Sequence, residues 1–264
     1  MGALRLGLIP RGDESDERER DFVVSLSEAL SCDVDVHHAA DYRVVLTGLG
    51  QGLVDFAWLP PLVAARAVRG KLAAPIAVAV RYGDTSYRTV LVALPGSPIR
   101  AARDLRGARV AWVDRQSASG YVVLRAALAR AGVRLAEAFS QEQFVRSHAA
   151  VARAVLSGEV DVGATCAHTE QGQVRFARSP FAGDAGLSAG ELRVVFEAGP
   201  IPSDIFAVRH GVLPRVRSAL EAALMHGMPP RVHVAARALM HADGFAAPTH
   251  EHQRMLEGLI DSDP

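Results

Sequence analysis

Apolar residues along the chain alternate between short strand-like runs and stretches with helical spacing. Leu4 to Ile9 is a compact apolar run and predicts a first strand. Arg11 to Arg20 is charged and polar and predicts a loop. It leads into a helix on which Phe22, Val23, Leu26 and Leu30 recur at helical spacing. Val34 and Val36 alternate with polar neighbours between Asp33 and His38, the pattern of a half-buried strand. Asp41 is the expected N-cap of a helix carrying Val44, Val45 and Leu49. Val54 to Trp58 predicts a strand, and Pro60-Pro61 opens the next helix, where missing N–H groups cost nothing. Ala74 to Val80 and Thr89 to Leu94 predict two more strands.

A second set of elements begins after the breaker cluster Pro95-Gly96-Ser97-Pro98. A short helix is expected over Ala101 to Leu105 and a strand over Val110 to Val113. Gln116 to Gly120 reads as a polar loop and Tyr121 to Ala131 as a helix. Ser147 opens a further helix with Val151 and Val155 on one face, and Val160 to Thr165 predicts a strand. Strands at Val194–Phe196 and Ile205–Val208 flank Pro200-Ile201-Pro202, and three helices fill Leu213 to Ile260. Alternating strands and helices imply an α/β fold whose sheets are mostly parallel and covered on both faces. Two such sets predict two lobes: residues 1–92 with 203–264, and residues 93–202. Hinge strands are expected near 89–95 and 194–208, with a ligand cleft between the lobes beyond the strand ends. No internal repeat is visible in the sequence.

Composition narrows the function. The 264 residues carry 29 basic and 29 acidic side chains, so nothing marks the chain for nucleic acid. Cys32 and Cys166 are far apart, each beside apolar residues, and read as small buried hydrophobes. No apolar run reaches membrane-spanning length. The start has no basic leader or long apolar segment, which predicts a cytoplasmic chain as it stands and a periplasmic one if a leader precedes Met1.

The strongest local candidate is Ser117-Ala118-Ser119-Gly120, after a strand and before a helix. That arrangement points backbone N–H groups at an anion, with serine hydroxyls beside them and Gly120 allowing close approach. Taken alone, it fits an ordinary N-capping loop better. His148, in the first turn behind Ser147, can aim a ring N–H into a cleft. Tyr87 opens a strand after the polar run Gly83 to Ser86, Asp204 stands at the second crossover, and Trp58 ends a strand. His37-His38 and His250-Glu251-His252 lack the spacing of a zinc site, and no nucleotide-binding glycine loop or nucleophile elbow occurs. Neither a metal nor a cofactor is therefore expected.

In order along nearly the whole chain, Asp41-Tyr42, Val54–Trp58, Ser86–Val92, Ser117–Tyr121, Ser147–Val151, Gly158–Thr165 and Pro200–Asp204 resemble the substrate-binding components of phosphonate, phosphite and phosphate ABC transporters. The resemblance implies a two-lobed type 2 periplasmic-binding fold, a small anionic ligand, an ABC permease as partner, a monomer and no catalysis. It places phosphorus oxygens at Ser117, Ser119 and Gly120, with His148, Tyr87 and Asp204 as further ligand groups and Trp58, Leu59 and Ala118 as pocket wall. The family often has Thr where Ala118 stands and Tyr where Leu59 stands. Hydrogen bonds to a charged group are worth roughly 1.5–3 kcal/mol, so losing two costs on the order of a hundredfold to ten-thousandfold in affinity. Amino-group binders in the family also use a carboxylate in the region that here reads Cys166-Ala167-His168-Thr169-Glu170. Phosphate, phosphite or a simple alkylphosphonate is therefore expected before an aminoalkylphosphonate. A menaquinone- or pyrimidine-pathway enzyme on the same fold, with His148 as base, and a ligand-sensing module are the alternatives.

Overall fold

The computed structural model describes residues 2–9, 15–170, 173–175, 192–225 and 228–261. Contacts divide the chain into two compact units, Met1–Thr85 with Pro202–Glu257, and Ser86–Ile201 with Gly258–Pro264.

The first unit opens with β1 (Leu4–Leu8), α1 (Ser15–Leu30), β2 (Val34–His38), α2 (Tyr42–Gln51), β3 (Phe56–Leu59), α3 (Pro61–Arg69) and β4 (Ala73–Val80). The helix α1 begins at Ser15, inside the stretch expected to be a loop; residues 10–14 lie outside the described residues. Glu17, Arg18 and Arg20 near its start are exposed, and the buried Phe22 and Leu26 of its apolar face come only later.

In the second unit, β5 (Ser86–Ala93), β6 (Ala108–Trp112), α4 (Val123–Arg130), α5 (Leu135–Ala138), β7 (Phe139–Phe144), α6 (His148–Leu156), β8 (Val162–Glu170), β9 (Gln173–Arg175) and β10 (Arg193–Pro202) occur in order. The chain then returns to the first unit with β11 (Ile205–Arg209), α7 (Pro214–Leu224), α8 (Pro230–Met240), β12 (Gly244–Ala246) and α9 (His250–Ile260).

The first sheet runs β12-β4-β11-β3-β1-β2. β1 pairs in parallel with β2 and β3, and β11 pairs antiparallel with β3 and β4. Phe22 and Leu26 of α1, Leu220 of α7 and Val232 of α8 pack with Phe56, Trp58 and Phe206 on one face. The second sheet runs β10-β5-β8-β6-β7, with β9 paired to β8. Residues 86–92, assigned from sequence to lobe 1, form most of β5, which pairs antiparallel with β8 along Arg88–Val92. Three short strands, β7, β9 and β12, are not visible in the hydrophobic pattern. Of β7, only Phe139 is buried, because it is an edge strand, and an edge gives a weak apolar signal. β12 has three half-buried residues.

One ion-pair motif recurs in both units. Arg5 of β1 grips Asp55, which directly precedes β3, through Nε to Oδ2 at 2.9 Å and Nη2 to Oδ1 at 2.9 Å. The Arg5 N–H donates to the same carboxylate, and the Asp55 N–H donates to the Arg5 carbonyl. Arg109 of β6 and Asp161, just before β8, repeat all four contacts, with Nη2 to Oδ1 at 2.7 Å. In each unit the preceding helix ends near a glycine with φ of +73°, Gly52 or Gly158, a left-handed conformation that costs glycine little. The two motifs are a local structural recurrence that the sequence alone does not display. Its shared signature is only Gly-x-Val-Asp and one strand arginine, too little to register as sequence similarity.

Burial alone would raise the Asp55 carboxyl, but hydrogen bonds from Arg5 and Arg209 outweigh it and hold it below the usual carboxylate range. Replacing Asp55 by Asn keeps the shape and removes the charge that two guanidiniums share. Asp55→Asn is expected to destabilise the protein by about 2–3 kcal/mol, read as a lower urea midpoint with an unchanged slope.

Candidate functional site

Three features of the second unit meet at one end of its sheet. Strands β6 and β8 are parallel, and β6 is parallel to β7. Their carboxyl ends therefore point the same way, and in open α/β sheets that is where ligands sit.

The first feature is the hydroxyl turn after β6. The Asp114 carboxylate accepts the Gln116 N–H at 2.7 Å, and the Ser117 N–H donates to the Asp114 carbonyl, which turns the chain. Ser117 then caps the next turn, its Oγ accepting the Gly120 N–H at 3.0 Å. Ala118–Gly120, expected from sequence to end a loop, instead open a single π-helical turn, Ala118–Val122, that runs into α4. The wider turn is closed by Val122 N–H to the Ser117 carbonyl and Val123 N–H to the Ala118 carbonyl. Gly120 has no room for a side chain: a Cβ would lie 2.4 Å from Val113 Cγ2 and 2.7 Å from Ser117 Oγ. Ala118 and Ser119 are buried. The Ser119 carbonyl accepts the Thr89 hydroxyl of β5 at 2.6 Å, tying the turn to the sheet. Ser117 uses one lone pair as a cap and keeps its O–H proton for another acceptor. The first N–H groups of such a turn have no helical partner and favour an anion.

The second feature is the start of α6. Val145 and Arg146 donate their N–H groups to the Trp112 and Val113 carbonyls, so the chain leaving β7 stays alongside the end of β6. Ser147 caps α6 by accepting the Ala150 N–H at 3.1 Å. His148 is the first helical residue, and its Nδ1 lies 2.9 Å from Oγ1 of Thr165, a fully buried residue of β8. The third feature is Tyr87 on β5. It sits across from His168 of β8, with ring centroids 6.0 Å apart. Tyr87, Ser117, Ala118, Ser119, Gly120 and His148 therefore all belong to the second unit, at one end of its sheet.

Asp204, Trp58 and Leu59 belong to the first unit. Asp204 Oδ2 accepts Arg81 Nη2 at 2.6 Å. Arg81 is 8% exposed and also donates to the Met240 and His241 carbonyls. Asp204 thus braces β4 against the end of α8. Trp58 packs on Phe206 at 4.8 Å and edge-on to Phe245 at 5.9 Å, and both Trp58 and Leu59 lie in the core of this unit. Thr165, Thr89 and Arg81, which hold these groups, were not singled out from sequence. The one signal for them is a polar residue at the end of an apolar strand run.

The chain passes between the units at Thr85–Ser86, at Ile201–Pro202 and again within α9 at Glu257–Gly258. On the first unit's side, the Ser203 N–H donates to the Thr85 carbonyl at 2.8 Å. His252 of α9 clasps the Thr85 side chain. Its Nδ1 accepts the Thr249 N–H at 2.9 Å, so the neutral ring carries its proton on Nε2, 2.8 Å from Thr85 Oγ1. Burial pushes the imidazole below its ordinary value, against smaller raising effects of Glu251 and Asp84.

Among the described residues, no cluster of His, Cys, Asp or Glu is arranged to hold a metal, and no helix is long and apolar enough to cross a membrane.

Fold and site together define a two-lobed α/β solute-binding protein. The family described as ABC transporter, phosphonate, periplasmic substrate-binding protein matches residues 6–252, and the chain belongs to it. The phosphate-import protein PhnD of Mycolicibacterium smegmatis is 25% identical over 232 residues, covering 83% of this chain and 70% of that protein. Among solved structures, XAC2383 from Xanthomonas citri, bound to chloride ion, superposes with a TM-score of 0.82 at 21% identity, covering 99% of this chain and 97% of that one. PhnD1 from Prochlorococcus marinus, in complex with methylphosphonate, gives 0.70 at 18% identity over 97% and 96% of the two chains.

The local geometry can be tested at two positions. Gly120→Ala forces a methyl group into Val113 and is expected to cost about 1–3 kcal/mol in chemical denaturation. For His252 the folded state favours the neutral ring. Its contribution is full above the unfolded value of about 6.5 and is lost as pH falls through the depressed folded value. The melting temperature of the wild type should therefore fall more steeply between pH 7 and pH 5 than that of His252→Gln; parallel slopes would contradict a stabilising clasp.

Proposed function

We propose that the second unit holds the oxygens of one phosphorus oxyanion on the hydroxyl turn, with the Ser117 and Ser119 hydroxyls, the turn's leading N–H groups and the His148 ring as donors. Tyr87 closes one side of the site. The observation that carries this reading is the turn itself. Ser117 caps it, Gly120 is packed too tightly for any side chain, and Thr89 ties it to the sheet, so its N–H groups are held in place before a ligand arrives. Preorganised donors of this kind need no rearrangement on binding, which favours affinity for a small, strongly solvated anion.

Ala118 supplies no hydroxyl between the two serines, and Leu59 supplies none after Trp58. Fewer donors suit phosphate, phosphite or a simple alkylphosphonate. The methylphosphonate held by the Prochlorococcus protein and the phosphate imported by the Mycolicibacterium relative fall in this class. The protein binds its ligand without turning it over, as a monomer, and hands it to the permease of an ABC transporter from the periplasmic side. Asp204 stands in the other unit with its carboxylate on Arg81, and its share in binding is read separately by Asp204→Asn.

The test is calorimetric titration and thermal shift with phosphate, phosphite, methylphosphonate and sulfate. A ligand at about a hundred times its dissociation constant adds roughly 2.7 kcal/mol of stability. At least one phosphorus oxyanion should give such a shift, and sulfate should give none. Ser117→Ala, Ser119→Ala and His148→Ala should each weaken binding by roughly ten- to a hundredfold. Unchanged affinity in all three variants would move the site elsewhere.

A further inference from the structure

A concave site that the proposed function does not use lies at the amino ends of β6 and β7. The hydroxyl turn follows the carboxyl end of β6, so the five residues of that strand, roughly 13 Å of chain, stand between the two. The cavity holds about 270 Å³, the liquid volume of about nine waters. Its floor is apolar: Leu105 and Ala138 are buried and Val133 is half-buried. Its rim is basic: Arg103, Arg106 and Arg134 are exposed there, beside one carboxylate, Glu137. Backbone hydrogen bonds fix both walls. The first wall is the single 3-10 turn Ala102–Asp104, where the Asp104 carboxylate accepts the Arg100 and Ala101 N–H groups at 3.0 and 2.9 Å. The second is the link from α4 to α5. It turns at Gly132, with φ of +84°, and the Ala131, Gly132 and Val133 N–H groups close the last carbonyls of α4. The Gly107 N–H joins the walls by donating to the Glu137 carbonyl at 3.0 Å. In this frame the Glu137 carboxylate lies between two guanidiniums, with Oε1 3.0 Å from Arg134 Nη1 and Oε2 3.8 Å from Arg106 Nη2. Arg103 Nε stands 3.8 Å from Asp104 Oδ1, too far for a hydrogen bond.

We propose that this cavity is a second anion site, for a small organic dianion that carries two carboxylates on a short apolar body. Three arginines against one glutamate leave two positive charges to balance, and two carboxylates balance them. A guanidinium meets a carboxylate through two parallel N–H donors, so arginine suits this ligand better than a point charge does. The apolar floor takes carbon, which an inorganic anion lacks. Glu137 shows that Arg106 and Arg134 reach a common carboxylate, and the same side chain competes with an incoming one. The walls are pinned before a ligand arrives, which lowers the cost of ordering them. The inference stands independently of the hydroxyl-turn reading, because the two sites lie at opposite ends of β6.

The experiment is calorimetric titration of the full chain with phthalate, and with benzoate as the monoanion of the same ring, with and without excess phosphite at constant low ionic strength. Phthalate should bind saturably and more tightly than benzoate, and phosphite should leave its affinity unchanged. Arg106→Gln and Arg134→Gln change exposed side chains and should leave the fold intact. Each should weaken phthalate by roughly two- to fivefold, since exposed ion pairs are individually weak, and the double variant by roughly tenfold. Glu137→Gln removes the competing carboxylate and should tighten phthalate by roughly two- to fivefold. Absence of saturable phthalate binding in Glu137→Gln overturns the inference. An affinity unchanged in the double arginine variant, or displacement of phthalate by phosphite, puts the ligand elsewhere and overturns it too. Equal affinity for benzoate overturns the assignment to a dianion.

Discussion

The fork between a strand arginine and the aspartate that opens the next parallel strand organises both units. A guanidinium and a carboxylate meet in two parallel charge-assisted hydrogen bonds, and the geometry admits little slack. The carboxylate also accepts the N–H of the arginine itself, so side chain and backbone are locked together. That lock sets the register of β1 against β3 and of β6 against β8. The helix before the aspartate must then stop at a fixed place, which the left-handed glycines Gly52 and Gly158 allow. In the second unit the other end of that helix is Ser147-His148. The position of a proposed ligand group thus traces back to Arg109 and Asp161 through one helix of fixed length.

The repeat makes the difference between the units informative. The N-terminus of α2 is capped by Asp41, whose carboxylate accepts the N–H groups of Arg43 and Val44 at 2.8 and 3.1 Å. Those hydrogen bonds hold the Asp41 carboxyl below its ordinary value. The positive end of that helix is already served by an anion of the protein's own. At the matching place in the second unit stands the neutral Ser147, with His148 next to it. An uncharged cap leaves the helix end electrostatically open to an external anion. The hydroxyl turn is likewise capped by a neutral side chain, Ser117, although the Asp114 carboxylate shapes the chain just before it.

Much of this architecture was legible in the sequence because it is local. Asp41 and Ser147 read as caps from residue type and position alone, and strand and helix alternation defined the layers. The hydroxyl turn was legible as residues but not as geometry: nothing in Ser-Ala-Ser-Gly distinguishes a loop from a π-helical turn, which depends on Gly120 pressing against Val113. Partners far apart in the chain were not legible. Thr165 reaches His148 across 17 residues, and Arg81 reaches Asp204 across 123. The sequence marks both members of each pair as polar and gives no reason to join them. Strand β7 stayed hidden because an edge strand leaves most of its side chains in water. His148, Tyr87 and Asp204 are legible as candidates from their positions at a helix start and strand ends, but only the family resemblance gives them ligand roles, since a lone polar residue beside a strand has no local signature of binding.

The central claim is that a phosphorus oxyanion sits on the hydroxyl turn of the second unit. The most direct measurement is amide chemical-shift mapping by two-dimensional NMR during titration with phosphite or methylphosphonate. The account predicts that the largest saturable shifts fall on the N–H groups of Ala118, Ser119 and Gly120, with His148 moving in step. Saturable shifts centred elsewhere, with residues 117–120 unmoved, would contradict it.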